Sequence, residues 1–189
     1  MGNPTIEDPE LSADDRVALL RLARQAVEAL VCGHVAPPVP PVPGASLKRG
    51  AFVSLFAYGA LRGCIGHVAS DRLLGEVVRE MAVAAARDDP RFPPVTAEEL
   101  SDLRLAVSVL TEPILVMPVD PQRIVIGRDG LLVRRGRAVG LLLPQVAPEY
   151  NWAPEAFLVA TCRKAGLHPD AWRDPRTAVL TFQADVFGE

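Results

Sequence analysis

The sequence predicts a single α+β domain in which an antiparallel or mixed sheet is flanked by helices and accompanied by a smaller β-rich lobe. Three observations lead to this prediction. The 189 residues fit one domain with a sizeable core, and 49% of them are hydrophobic. Helix-like and strand-like segments follow the order α-β-β-α-β, a short β meander, then α-β, which is neither a repeat nor a regular βαβ array. The short apolar runs of the meander are separated by glycine-containing turns.

A capping pattern predicts the first helix. Ser12 is followed three residues later by Asp15, and apolar residues then recur at helical spacing as far as Gly33, where we expect the helix to end. The proline-rich residues 36–45 exclude a helix or a central strand because proline lacks the amide donor. They predict a surface connection.

Three further helices are expected. Ser70 predicts the N-cap of a helix that extends to about Arg87. A second capping pattern, Thr96 with Glu99, predicts a short helix. Residues 154–165 predict the last helix, because a proline suits the first turn and a glycine follows the end.

Strand-like segments fill the rest of the chain. Residues 51–57 and 61–68 predict two strands joined by a turn, and residues 103–110 predict a central strand. Residues 124–143 predict a meander of two hairpins, and residues 177–187 predict one final strand.

The lobes follow from this order of elements. We assign residues 11–112 and 154–187 to the larger lobe and residues 113–153 to the smaller, β-rich one. Both belong to one domain that spans residues 1–189.

Charge and cysteine content indicate a cytoplasmic protein. The net charge of −3 gives no reason to expect a nucleic acid or an anionic membrane as a partner. Cys32, Cys64 and Cys162 form an odd, widely spaced set that is typical of free thiols in a reducing compartment. No secretory pattern and no apolar run of about 18 residues is present.

The least generic string in the chain is Arg62-Gly63-Cys64-Ile65-Gly66. One hypothesis is a functional thiol, exposed in a tight turn that the flexible glycines permit and activated as a thiolate by the neighbouring arginine. The other is a small buried cysteine beside glycines that only allow close packing. The residue types alone leave both open.

Two chemical extensions of Cys64 are conceivable. Cys64-x-x-His67 is half of a zinc-site spacing, but the other ligands would have to be Cys162 and His168 at a distance, so no metal site is predicted. A Cys64–His67 nucleophile pair would need a bend, because a strand directs the two side chains to opposite faces.

The end of the second helix is a further candidate site. Acidic residues there, including Asp89, oppose the helix dipole, which suggests an arginine partner, either Arg91 or Arg62, in a turn that also contains Phe92. The alternative, an ordinary exposed helix terminus, is equally open.

The β-rich segment contributes two more candidates. Pro144 ends an apolar run, and Gln145 after it is expected to line a cleft. Three arginines in residues 134–137 form a basic hairpin patch, which we interpret as a solvated face because it lacks an aromatic platform for nucleic acid.

Several strings together resemble the AMMECR family, named for the AMME syndrome chromosomal region, in its prokaryotic AmmeMemoRadiSam system protein A type. The similarity extends over nearly the whole chain. The strings are GAFVSL (50–55), LRGCIG (61–66), DPRF (89–92), the EELSDL and VSVL stretch (98–110), IGRDGLLV (126–133), LLPQVA (142–147) and FLVATCRKAGL (157–167).

The resemblance implies a two-lobed α+β fold in which residues 62–66 are the family signature, beside a cleft between the lobes. It favours a functional Cys64. His67 stands where the family commonly has threonine, and His168 where it usually has proline. Both departures weaken the zinc and Cys–His hypotheses.

Two functions remain open. The resemblance implies an accessory or binding component that works with a Memo-type protein and a radical SAM protein. The alternative is an enzyme that uses Cys64 as nucleophile or covalent carrier on a small anionic substrate, steadied by Arg62 or Arg91. No cofactor is predicted.

Overall fold

A computed structural model describes residues 11–189 of the chain. Within these residues, four α-helices and eight strands form two four-stranded sheets, which confirms the predicted α+β class. The helices are α1 (Ala13–Cys32), α2 (Leu74–Arg87), α3 (Val146–Glu149) and α4 (Pro154–Lys164). The strands are β1 (Ala51–Ala57), β2 (Ala60–His67), β3 (Leu103–Leu110), β4 (Ile114–Leu115), β5 (Gly130–Arg135), β6 (Ala138–Leu142), β7 (Ala178–Phe182) and β8 (Ala184–Gly188).

The chain folds into two compact units. Unit 1 comprises the described residues up to Val109 together with Asp185–Glu189, and unit 2 comprises Leu110–Ala184. The grouping differs from the predicted lobes for residues 154–184, which belong to unit 2 and include α4 and β7. Helix α4 packs on β5 and β6 there. Its buried Phe157 and Leu158 join the hydrophobic core of that unit.

The predicted capping box at the start of α1 is confirmed. The Ser12 hydroxyl accepts the Asp15 N–H, and the Asp15 carboxylate accepts the Ser12 N–H. The helix ends at Gly33, whose φ of 70° is the left-handed conformation that glycine adopts readily. Asp15 also accepts the N–H of Gly44 at 2.7 Å, which fixes the proline-rich connection against α1.

Sheet 1 has the strand order β2-β1-β3-β8, and β1 pairs antiparallel with both β2 and β3. This confirms the three strands predicted here and the central position of β3. One face of the sheet packs under α1 and α2 through buried residues such as Val53, Leu55 and Val107. Alternate residues, beginning with Phe52 and Ser54 on β1, therefore lie on the opposite face, which we call the outer face.

Helix α2 begins at Leu74, so the predicted N-cap at Ser70 is wrong. The Ser70 hydroxyl instead accepts the N–H of Arg72 in a local turn. The N–H of Leu74 donates to the carbonyl of Leu47 at 2.7 Å, and Leu73 forms an isolated antiparallel bridge with Lys48, so that the helix starts only after Leu73. The predicted end at Arg87 is confirmed.

Sheet 2 has the strand order β4-β7-β5-β6. Only one of the two predicted hairpins of the meander forms, between β5 and β6. The first apolar run is not a strand, because the Asp129 carboxylate accepts the N–H of Val125 and closes the run into a turn. The predicted final strand is divided at Gln183 into β7 of sheet 2 and β8 of sheet 1.

In the described part of the chain, no helix combines the length and apolar character needed to cross a bilayer.

Candidate functional site

Cys64 lies near the middle of β2, the edge strand of sheet 1. It is half-buried and pairs in register with Ser54 of β1, on the outer face. The Ser54 hydroxyl donates a hydrogen bond to Sγ of Cys64 at 3.2 Å. The thiol is therefore held by a neighbouring strand rather than exposed at a turn.

Asp89 and Arg91 occupy the position that a neighbouring strand would take beside Cys64. Asp89 accepts the Cys64 N–H at 2.9 Å, and Nη2 of Arg91 donates to the Cys64 carbonyl oxygen at 3.3 Å. The two side chains pair with each other through Nε and Nη2 of the guanidinium. Together they satisfy both backbone groups of Cys64 at the sheet edge.

The Asp89 carboxylate is almost fully buried, with 2% of the side chain exposed. The hydrogen bonds from Arg91, and the backbone N–H of Cys64, outweigh burial and hold the pKa of Asp89 far below its usual range. Of the two partners predicted for the acidic end of α2, the structure selects Arg91. Its guanidinium also lies over the ring of Phe92, 5.4 Å from the centroid.

Arg62 is placed in a β-bulge. The register between β1 and β2 shifts at this point, so that Leu55 pairs with Gly63 and Phe56 with Leu61. A bulged residue is redirected out of the regular alternation. Arg62 is thereby aimed at the segment that follows Phe92.

The guanidinium of Arg62 binds this segment through four hydrogen bonds. Nε and Nη2 donate to the two carboxylate oxygens of Glu99 at 2.6 and 3.0 Å, and two more bonds reach the carbonyls of Pro93 and Pro94. Only 13% of the Arg62 side chain is exposed. This pairing lowers the pKa of Glu99. The structure thus assigns Arg62 to holding residues 93–99 on β2.

The two glycines of the signature permit close packing. A Cβ on Gly63 would fall on the carbonyl oxygen of Ala85 in α2, and a Cβ on Gly66 would fall on the ring of Phe52. Ile65 packs against the core of unit 1. The two glycines are therefore needed for close packing on both faces of β2, against α2 on one face and against Phe52 on the other.

The structure brings residues 62–66 together with Asp89, Arg91 and Phe92 in unit 1. Pro144 and Gln145 belong to unit 2, where Gln145 directly precedes the short helix α3.

The structure does not support a Cys64–His67 nucleophile pair or a zinc site that includes Cys162 and His168. β2 runs unbroken through His67, so the bend that a Cys64–His67 pair requires does not occur. Cys162 is fully buried in the core of unit 2, where burial raises the pKa of its thiol. Among residues 11–189, no group of three or more His, Cys, Asp or Glu side chains is arranged to hold a metal ion.

Two residues of the site were missed by the sequence analysis. Ser54 is the polar member of an otherwise apolar strand, a signal that the alternation could have placed on the face of Cys64. Glu99 was noted only as a capping residue. It does cap, by accepting the Thr96 N–H, and it binds Arg62 with the same carboxylate.

Comparison with known proteins places this architecture in a family. Protein TK0174 of Thermococcus kodakarensis is 48% identical over 181 residues, 90% of this chain and 88% of that protein. A protein of Methanothermobacter thermautotrophicus is 48% identical over 185 residues, 95% of this chain and 96% of that protein. The crystal structure of the uncharacterized protein PH0010 from Pyrococcus horikoshii superposes with a TM-score of 0.83 at 46% identity, covering 90% of this chain and 89% of that chain. The family model described as AMMECR1 matches residues 20–187, and the chain belongs to the AMMECR1 family.

Proposed function

We propose that this protein is an accessory binding protein and that the outer face of sheet 1 around Cys64 receives its partner. The observation that carries the proposal is that the charged groups next to Cys64 are already paired: Arg91 with Asp89, and Arg62 with Glu99. The described hydrogen-bond partner of the thiol is the hydroxyl of Ser54, which is not a base. A cysteine nucleophile needs an adjacent base or an uncompensated positive charge.

The arrangement favours recognition by shape. Side chains that pair in register across β3, β1 and β2 form rows on the outer face, such as Ala106, Ser54 and Cys64. These residues are small, while Phe52 beside them is large. A rigid surface of small and aromatic side chains needs little reordering on binding, which lowers the entropic cost of association.

The partners we propose are a Memo-type protein and a radical SAM protein. The support is the resemblance of seven strings in this chain to the AmmeMemoRadiSam system protein A type. The proposal predicts a physical complex that forms without any covalent step at Cys64.

Co-expression tests the complex. The tagged protein is produced with the Memo-type and radical SAM proteins of the same organism, and co-purification is measured for the wild type, Ser54→Arg and Cys64→Ser. Ser54→Arg places a bulky charge on the outer face and should abolish co-purification, whereas Cys64→Ser keeps the shape and should retain it. Cys32→Arg, at the exposed end of α1, is the matched control. Absence of both companions from the wild-type eluate, or full retention by Ser54→Arg, would contradict the proposal.

A second candidate function is an enzyme with Cys64 as nucleophile. It is favoured by the position of the Arg91 guanidinium, which donates a hydrogen bond to the Cys64 carbonyl oxygen and so lies next to this residue, even though Asp89 compensates its charge. Alkylation of the native protein separates the two functions. If the site serves binding, half-buried Cys64 should react more slowly than exposed Cys32, and buried Cys162 slowest of all. A Cys64 that reacts faster than Cys32 would favour the enzyme.

A further inference from the structure

The outward side of α4 carries a shallow depression in unit 2, lined by both apolar and charged side chains. Its volume is about 480 Å³. The opposite side of the helix carries the fully buried Phe157 and Leu158. The outward side, by contrast, is only partly covered by the described residues, with Ala156 exposed and Val159 and Ala160 half-buried. The residues that line the depression are Trp152, Glu155, Ala156, Val159, Ala160 and Arg163.

An aromatic pair, of which Tyr150 is exposed and Trp152 half-buried, adjoins one end of the depression. Tyr150 stacks on Trp152, with ring centroids 4.8 Å apart and planes inclined by 18°, and yet Tyr150 remains 64% exposed. Aromatic side chains of this kind are enriched at protein interfaces, because burying them stabilises a complex. The combination marks the face as a docking surface.

The charges at the two ends of the depression identify what fits it. Glu155 lies in the first turn of α4 and Arg163 in the last, about 12 Å apart along the axis, with Val159 midway between them. Glu155 uses one carboxylate oxygen to pair with Arg173, which leaves the other available. Within the described part of the chain, Arg163 has no ion pair.

We propose that this face of α4 binds the same face of a second copy of the chain, in an antiparallel, two-fold symmetric arrangement. A two-fold axis at Val159 places Glu155 of each copy opposite Arg163 of the other, so both charged contacts are complementary. The small side chains of Ala156 and Ala160 allow the helices to approach to about 8 Å. A parallel arrangement would instead bring like charges together at both ends.

One helix and an aromatic pair from each chain form an interface at the small end of the range for specific complexes. We therefore expect a weak dimer, with a dissociation constant between about 10 µM and about 1 mM. The dimer does not depend on the role proposed for the surface around Cys64, which lies in unit 1.

Charge reversal tests the arrangement with the full chain. Glu155→Arg and Arg163→Glu each create two like-charge contacts in a homodimer, so each variant alone should associate at least about 10-fold more weakly than the wild type. An equimolar mixture of the two variants should recover dimerisation, because a heterodimer of these variants contains two complementary contacts. Glu112→Arg, an exposed reversal elsewhere in unit 2, is the control and should dimerise normally.

Sedimentation equilibrium over about 10 µM to about 1 mM measures the association, and circular dichroism verifies that each variant is folded. A wild-type protein that stays monomeric over this range overturns the proposal, and a different protein would then be the candidate partner for this face of α4. Variants that dimerise like the wild type, or a mixture that stays monomeric, also overturn it.

Discussion

The carboxylate of Asp89 accepts a hydrogen bond from the backbone N–H of Cys64 at 2.9 Å, although 25 residues separate the two in sequence. This contact joins the turn after α2 to the edge strand that carries the family signature. Arg91 completes the contact by donating to the carbonyl of Cys64. The signature and the DPRF string are therefore one structural unit, which holds the cysteine in a fixed position.

Removing the carboxylate should destabilise the fold. In Asp89→Ala, the partly buried N–H of Cys64 loses its acceptor and the Arg91 guanidinium loses its partner, at a cost of about 2 kcal/mol in the free energy of unfolding. Urea denaturation measures this change. Asp88→Ala is the matched control, since Asp88 is exposed and pairs with Arg87 at the surface, and it should unfold like the wild type. Equal stability of the two variants would show that the contact contributes nothing.

The depressed pKa of Asp89 predicts a dependence of stability on acid. Because the folded-state pKa lies below the ordinary value of about 3.9, the unfolded chain binds more protons, and stability is lost as the pH falls below about 5. Asp89→Asn lacks this titration, so its free energy of unfolding should fall less steeply between about pH 5 and about pH 3. Parallel curves for the variant and the wild type would mean that Asp89 is not held ionised in the folded protein.

The fork geometry of Arg62 should matter more than its charge. Arg62→Lys keeps the positive charge but cannot reach both oxygens of Glu99 and the carbonyls of Pro93 and Pro94 at once. We expect a loss of about 1–2 kcal/mol in the free energy of unfolding, with faster amide exchange in residues 93–99. Arg21→Lys, on the exposed side of α1, is the control and should leave both measurements unchanged. If the amides of residues 93–99 exchange in Arg62→Lys at the wild-type rate, Arg62 does not hold this segment on β2.

The parts of this fold that the sequence predicts are those determined by neighbours in the chain. The capping box of Ser12 and Asp15, and the end of α1 at Gly33, depend on groups within one helical turn. The interruption at Gln183 was not predictable in this way. Strand-like alternation continues through it, and the division arises because the two halves pair with different sheets.

The same distinction applies to the site. Residue types identified Cys64, Asp89 and Arg91 as candidates, because cysteine beside glycines and acids at a helix end are unusual locally. They could not show that Arg62 turns towards Glu99, 37 residues away, since the β-bulge that redirects it depends on register with β1. Nor could they show that Ser54 lies beside the thiol.

Like Gly66, whose added Cβ would meet the carbonyl oxygen of Ala51 as well as the Phe52 ring, Gly63 should be hard to replace. A Cβ at this position would fall on the carbonyl oxygen of Ala85, which belongs to the backbone of α2 and has little freedom to move. Gly63→Ala should therefore separate α2 from β2 and cost about 3 kcal/mol or more in the free energy of unfolding. Gly33→Ala is the matched control, because that residue has a positive φ but open space around it, so only the conformational cost of about 1 kcal/mol applies. Thermal and urea unfolding of both variants make the comparison. A Gly63→Ala protein as stable as Gly33→Ala would show that the backbone of α2 can move away from the added Cβ at little cost.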